Sequence, residues 1–72
     1  MTDTKLLNEL IQQKGLKKAF LAEKCGITPV VFSNCLNGKK EFTASQISVL
    51  CYWLGITDLK LKEAVFFANF VA

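Results

Sequence analysis

Seventy-two residues, 51% of them hydrophobic and 21% charged, make one small domain, and a chain this short buries only about 60% of its unfolded surface, so its core must be dense. Three cysteines with no Cys-x-x-Cys pair and no histidine at all argue against both a disulfide framework and a zinc site. The net charge of +3 comes from nine lysines and no arginine, and it is concentrated: six lysines fall between Lys14 and Lys40 with Glu23 as the single acid among them, while the rest of the chain is slightly negative.

Glycines at 15, 26, 38 and 55 cut the chain into segments of helical period, with no strand-like alternation to compete. Leu6, Leu7, Leu10 and Ile11 form one apolar stripe, predicting a first helix that Asp3 or Thr4 caps and Gly15 ends. A second, short helix is expected over about 17–25, turning Phe20, Leu21, Ala22 and Cys25 inward, with Gly26 as its stop. Thr28-Pro29 offers an N-cap followed by a proline at the first helical position, where the missing N–H does no harm. The third helix then runs to Asn37-Gly38. Thr43 and Gln46 have capping-box spacing and open a fourth helix carrying Ile47, Leu50, Cys51 and Leu54. After Gly55, Thr57 is expected to cap a fifth helix that begins at Asp58 and runs into the apolar tail Val65-Phe66-Phe67-Ala68-Asn69-Phe70-Val71. The predicted fold class is all-α, a compact bundle of five short helices in a single domain over 1–72.

The helices on either side of Gly26 have helix-turn-helix spacing over 18–37. Counted from Lys18, the small Ala22 stands fifth, where two helices cross, and Gly26 ninth, where a tight turn needs positive φ. Ile27, Phe32 and Cys35 stand tenth, fifteenth and eighteenth, anchoring one face of the second helix and leaving the other outward.

Leu21-Ala22-Glu23-Lys24-Cys25-Gly26-Ile27-Thr28, Phe32-Ser33 and Asn37-Gly38-Lys39-Lys40 together resemble the Cro/cI-type (XRE) helix-turn-helix family, and Leu54-Gly55-Ile56 resembles the ending of its fourth helix. The likeness covers roughly residues 16–59. It implies a lambda-repressor-like bundle, a recognition helix presented to the DNA major groove, and a part in transcriptional control, often of phage lysogeny. By the same resemblance Lys17, Lys18, Lys39 and Lys40 grip phosphates, although Lys18 replaces the more usual glutamine. The base-reading places fall on Thr28, Pro29, Val30, Val31, Ser33 and Asn34.

Those places depart from the family, which commonly puts Gln, Arg or Ser at several of them. Direct readout needs Arg or Lys on guanine and Asn or Gln on adenine. Here Asn34 is the sole amide in mid-helix, and the leading edge is Pro29-Val30-Val31. An exposed apolar patch of this kind suits the centre of a protein–protein interface, unless one valine turns inward to pad Phe32 and Cys35. The resemblance implies two readings, because small phage switch proteins of this family include both Cro-like repressors and antirepressors, or modulators of repression. In the first the chain is an antirepressor: it binds a partner repressor, on that protein's own helix-turn-helix, blocks its access to DNA, and has weak DNA binding of its own. In the second it is a conventional Cro-like repressor reading an operator in double-stranded DNA.

The remaining features read as structural. Cys25, Cys35 and Cys51 occupy core places as small hydrophobes, a redox switch finding no charge cluster beyond Lys24. Tyr52 and Trp53 adjoin, so at least one leans outward. The tail phenylalanines either wrap onto the first helix or form a homodimer seam, which reading two half-sites requires. No glycine-rich phosphate loop, paired carboxylates or Ser/Cys beside a base is present, so no catalytic residue, metal or cofactor is expected. A polar start and no apolar run near the roughly 18 residues of a bilayer span predict an intracellular, soluble protein with no membrane partner, and the resemblance to phage regulators implies the cytoplasm of a bacterial host.

Overall fold

The computed structural model describes residues 1–68. Five α-helices follow in order: α1 Thr4–Lys14, α2 Lys18–Lys24, α3 Pro29–Leu36, α4 Ala44–Leu54 and α5 Leu59–Phe66. No strand occurs among the described residues, so the chain is all-α.

Local chemistry sets most of the boundaries. Asp3, not Thr4, caps α1, its carboxylate accepting the Leu6 N–H at 3.0 Å. Thr28 Oγ1 accepts the Val31 N–H at 3.2 Å with Pro29 behind it. The Thr43–Gln46 capping box is complete: Gln46 N–H donates to Thr43 Oγ1 and Thr43 N–H to Gln46 Oε1. A cap of this kind contributes about 1 kcal/mol. Three expectations are corrected, the first being the length of α5, which ends at Phe66 and does not continue through Phe67 and Ala68. Lys17 is the uncapped lead-in to α2, which starts at Lys18. Asp58, not Thr57, caps α5 through the Lys60 N–H. A carboxylate is the better partner for the first-turn amides because it also meets the positive end of the helix dipole.

One turn recurs. At Gly26, φ is +73°, and the next residue, Ile27, donates its N–H back to Ala22 C=O at 3.1 Å. Leu16, Lys39 and Ile56 make the same backward bond to Ile11, Asn34 and Cys51. This is the Schellman closure, which satisfies an orphan carbonyl and tucks in the residue after the glycine. In three of the four turns that residue is apolar and packs against the core; in the turn after α3 it is the exposed Lys39.

The core draws on every helix: Leu7 and Ile11 of α1, Leu21 and Ala22 of α2, Phe32, Cys35 and Leu36 of α3, Ile47, Leu50 and Leu54 of α4, and Val65 and Phe66 of α5. Ala22 is fully buried where α2 meets α3, the place that admits only a small side chain. Phe42 carries the chain between α3 and α4 across this core, its ring 5.8 Å from Phe32 and 6.2 Å from Phe66, both edge-on. Phe66 thus does fold back onto the bundle. Phe67 is partly exposed, and Phe70 lies outside the described residues.

The thiols are less uniform than expected. Cys35 is buried, whereas Cys25 and Cys51 are half-buried at the edges of α2 and α4. Burial raises all three thiols above their ordinary pKa, with Cys35 adding to the rise at Cys25. The unfolded chain therefore loses thiol protons at a lower pH than the folded one, and stability falls as pH climbs past about 9. Urea midpoints under reducing conditions should hold from pH 7 to 8 and drop by pH 9.5, more shallowly in Cys35→Val. A flat midpoint to pH 9.5 would contradict the burial of these thiols.

Candidate functional site

α3 turns Phe32, Cys35 and Leu36 inward, and helical geometry then sends Pro29, Val30 and Ser33 to solvent. Thr28, Pro29 and Ser33 are exposed, and Val30 is 71% exposed. Val31 and Asn34 are half-buried, flanking the inward arc. The apolar leading edge is accordingly Pro29 and Val30, with Val31 turned aside toward the core. Asn34, the only mid-helix amide, is also the polar member of the face held closest to the core.

All four lysines assigned by resemblance are exposed. Lys17 and Lys18 stand at the start of α2; Lys39 and Lys40 lie just beyond α3, and α2 packs directly on α3. The structure gives the other two lysines of the basic segment different surroundings. Lys24 Nζ sits 5.3 Å from the Phe20 ring centre and 5.5 Å from that of Trp53. Phe20 and Trp53 meet edge-to-face at 4.9 Å, and Tyr52, on the far side of Trp53, is the one that leans fully into solvent. A lysine over two aromatic faces is held there by the ring quadrupoles. Lys14 Nζ lies beside Gly55, 3.3 Å from where a Cβ would stand, at the C-terminal end of α4, where the helix dipole favours a cation. Lys14 and Lys24 remain exposed as well, so all six lysines of the segment are open to an anionic partner.

The turn bearing Lys39 and Lys40 is fixed at several points. Lys39 N–H bonds Asn34 C=O at 2.9 Å, and Phe42 anchors the downstream end in the core. Gly38 has φ of +78°, and a Cβ there would come within 3.9 Å of the Thr4 methyl. Glu41 Oε1 accepts the Thr2 N–H at 3.2 Å. Sequence spacing held no signal for that last bond, which joins residues 39 apart.

Chemically, the exposed lysines can hold phosphates by charge, and the outer edge of α3 can bury apolar surface. Its supply of hydrogen-bond groups for base edges is Thr28, Ser33 and the half-buried Asn34. No group of three or more potential metal ligands occurs among the described residues, and none of the described helices is long and apolar enough to cross a membrane. The sequence profile of the Cro/C1-type HTH DNA-binding domain matches residues 6–59. No curated protein and no solved structure gives a significant match.

Proposed function

The chain belongs to the Cro/C1-type helix-turn-helix DNA-binding family, and from that premise we propose that it regulates a phage-type transcriptional switch as an antirepressor. It docks the Pro29–Val30 edge of α3 on the helix-turn-helix domain of a partner repressor and blocks that protein's access to DNA. The observation that supports this reading is Val30, 71% exposed at the leading edge of the recognition helix in a chain that has no arginine. Burying a valine contributes about 1.5 kcal/mol or more, and apolar residues ringed by polar ones suit an interface centre. The protein acts by binding alone, in the cytoplasm of a bacterial host, without metal or cofactor. Its own affinity for DNA is weak and spread over many sequences, because lysines on phosphates position a protein without reading bases.

The test is a gel shift with a candidate partner repressor of the same family on that repressor's operator. Added protein should dissolve the repressor–operator complex while forming a stable 1:1 complex with the repressor that contains no DNA. Nanomolar binding of the operator by this chain alone, with thousandfold preference over scrambled DNA, would overturn the antirepressor role. It would restore a conventional Cro-like repressor, a reading that Thr28 and Ser33 on the open face favour. Such a repressor needs a homodimer for two half-sites, and α5 offers exposed Leu59, with Phe67 just beyond it, as the apolar surface for one.

Replacing Lys39 and Lys40 together with Ala should lower nonspecific DNA affinity and reduce the log–log salt slope by about 1.8, about 0.9 for each phosphate that is no longer neutralised. Anisotropy titrations of a generic duplex across a salt series measure both. An unchanged slope would remove these lysines from the DNA-binding set.

A further inference from the structure

By charge, Glu41 is out of place: a carboxylate directly after Lys39 and Lys40, in a turn assigned to phosphates. Its setting is specific. The oxygen that accepts the Thr2 N–H also lies 3.7 Å from the Met1 amino nitrogen. The segment it grasps is itself fastened to the fold. Asp3 N–H donates to Val65 C=O at 2.6 Å, Ala68 N–H donates to Met1 C=O at 2.9 Å, and the Asp3 side chain caps α1. Residues 1–3 therefore form a strap across the start of α1 and the end of α5, and Glu41 ties the lysine turn to it.

We propose that Glu41 is a positioning residue: through the Thr2 main chain it holds the 38–41 turn so that Lys39 and Lys40 face an anionic backbone together. The proposal rests on the reading of those two lysines as phosphate contacts. It opposes what charge alone dictates. Within a Debye length of about 8–10 Å a carboxylate repels phosphate, so by Coulomb's law any neutral replacement of Glu41 strengthens DNA binding. A positioning role makes the outcome depend on whether the replacement still accepts a hydrogen bond.

Glu41→Gln keeps an acceptor oxygen and discards the charge; Glu41→Ala discards both. Thr2→Pro keeps the carboxylate and removes the donor. In anisotropy titrations of a generic duplex at low salt, Glu41→Gln should bind at least as tightly as the wild type. Glu41→Ala should bind about fivefold more weakly than Glu41→Gln, the effect of one hydrogen bond of ordinary strength, and Thr2→Pro should fall below the wild type by a similar factor. Amide exchange at Lys39, whose N–H is bonded to Asn34 C=O, should quicken in Glu41→Ala and Thr2→Pro but not in Glu41→Gln, a readout of the order of the turn and not of repulsion from phosphate. Equal affinities for the Ala and Gln variants, or unaltered exchange in Glu41→Ala, would overturn the proposal. If Thr2→Pro fails to fold by circular dichroism, the Ala–Gln pair still decides. The Lys39/Lys40→Ala double variant keeps the two ideas apart: wild-type DNA affinity there removes the phosphate reading, while the exchange measurement still judges the strap.

Discussion

Val30→Asp should abolish binding to the partner repressor while leaving the domain folded. The side chain is 71% exposed in the free protein, so the substitution disturbs no core packing, and surface changes of this kind move stability by roughly 0.5 kcal/mol at most. Position 30 is in the first turn of α3, one residue after Pro29, where a carboxylate meets the positive end of the helix dipole and is mildly stabilising. In a complex that buries this edge, the same carboxylate loses its water without gaining a partner. That penalty is several kcal/mol, and about 5.5 kcal/mol carries an affinity through about four decades. Calorimetric titration against the repressor's DNA-binding domain, with circular dichroism as the control, gives the result. A folded Val30→Asp protein that binds the repressor at wild-type affinity would remove this edge from the interface. Attention would then pass to the exposed apolar side chains of α5.

Phe32→Ala should have the largest effect on stability, about 3–5 kcal/mol from the apolar area returned to water plus the cavity left behind. Phe32 is 1% exposed and carries the first link of the Phe32–Phe42–Phe66 aromatic series. At about 0.05–0.15 kcal/mol per residue a domain of this size has roughly 4–11 kcal/mol in all, so the variant stands near the edge of unfolding. Because Phe42 leans on Phe32 and anchors the lysine turn, DNA affinity should fall even at temperatures where helix content survives. Urea denaturation followed by circular dichroism measures the first effect, and a loss below 1 kcal/mol would mean that this ring is not packed as described.

The sequence resemblance and the structure agree most closely where an interaction spans a few residues. Thr28-Pro29 opens α3 and the Thr43–Gln46 box opens α4, because a cap joins groups at most three positions apart. The helix-turn-helix core was legible for the same reason. Once two helices and a glycine turn are spaced as they are here, Ala22, Phe32 and Cys35 have only one side of the turn on which to lie. The choice of Asp58 over Thr57 lies within the same range, a carboxylate meeting an amide two residues on, and the preference of first-turn amides for a carboxylate was the signal for it.

The sequence alone determined the class and the five helices, and it supplied the two groups of residues proposed to meet a partner, a lysine set and an apolar edge. Periodicity and capping are short-range, and no tertiary interaction competes with them strongly enough to change them. What each charged side chain does was left to the folded molecule. Lys14, Lys24 and Lys39 are alike in sequence and all exposed, yet one reaches the end of α4, one lies over Phe20 and Trp53, and one stands in the turn after α3. A lysine has a long, flexible stem and no preference of its own among carbonyls, rings and water. Its fate is set by whichever group the packing of distant helices brings within reach. The same holds for Val30 and Val31, adjacent and identical, which the rotation of α3 on its core separates into an exposed edge and a half-buried flank. Glu41 meets Thr2 for that reason too, because the packing of α1, α3 and α5 closes a gap of 39 residues that no local rule spans.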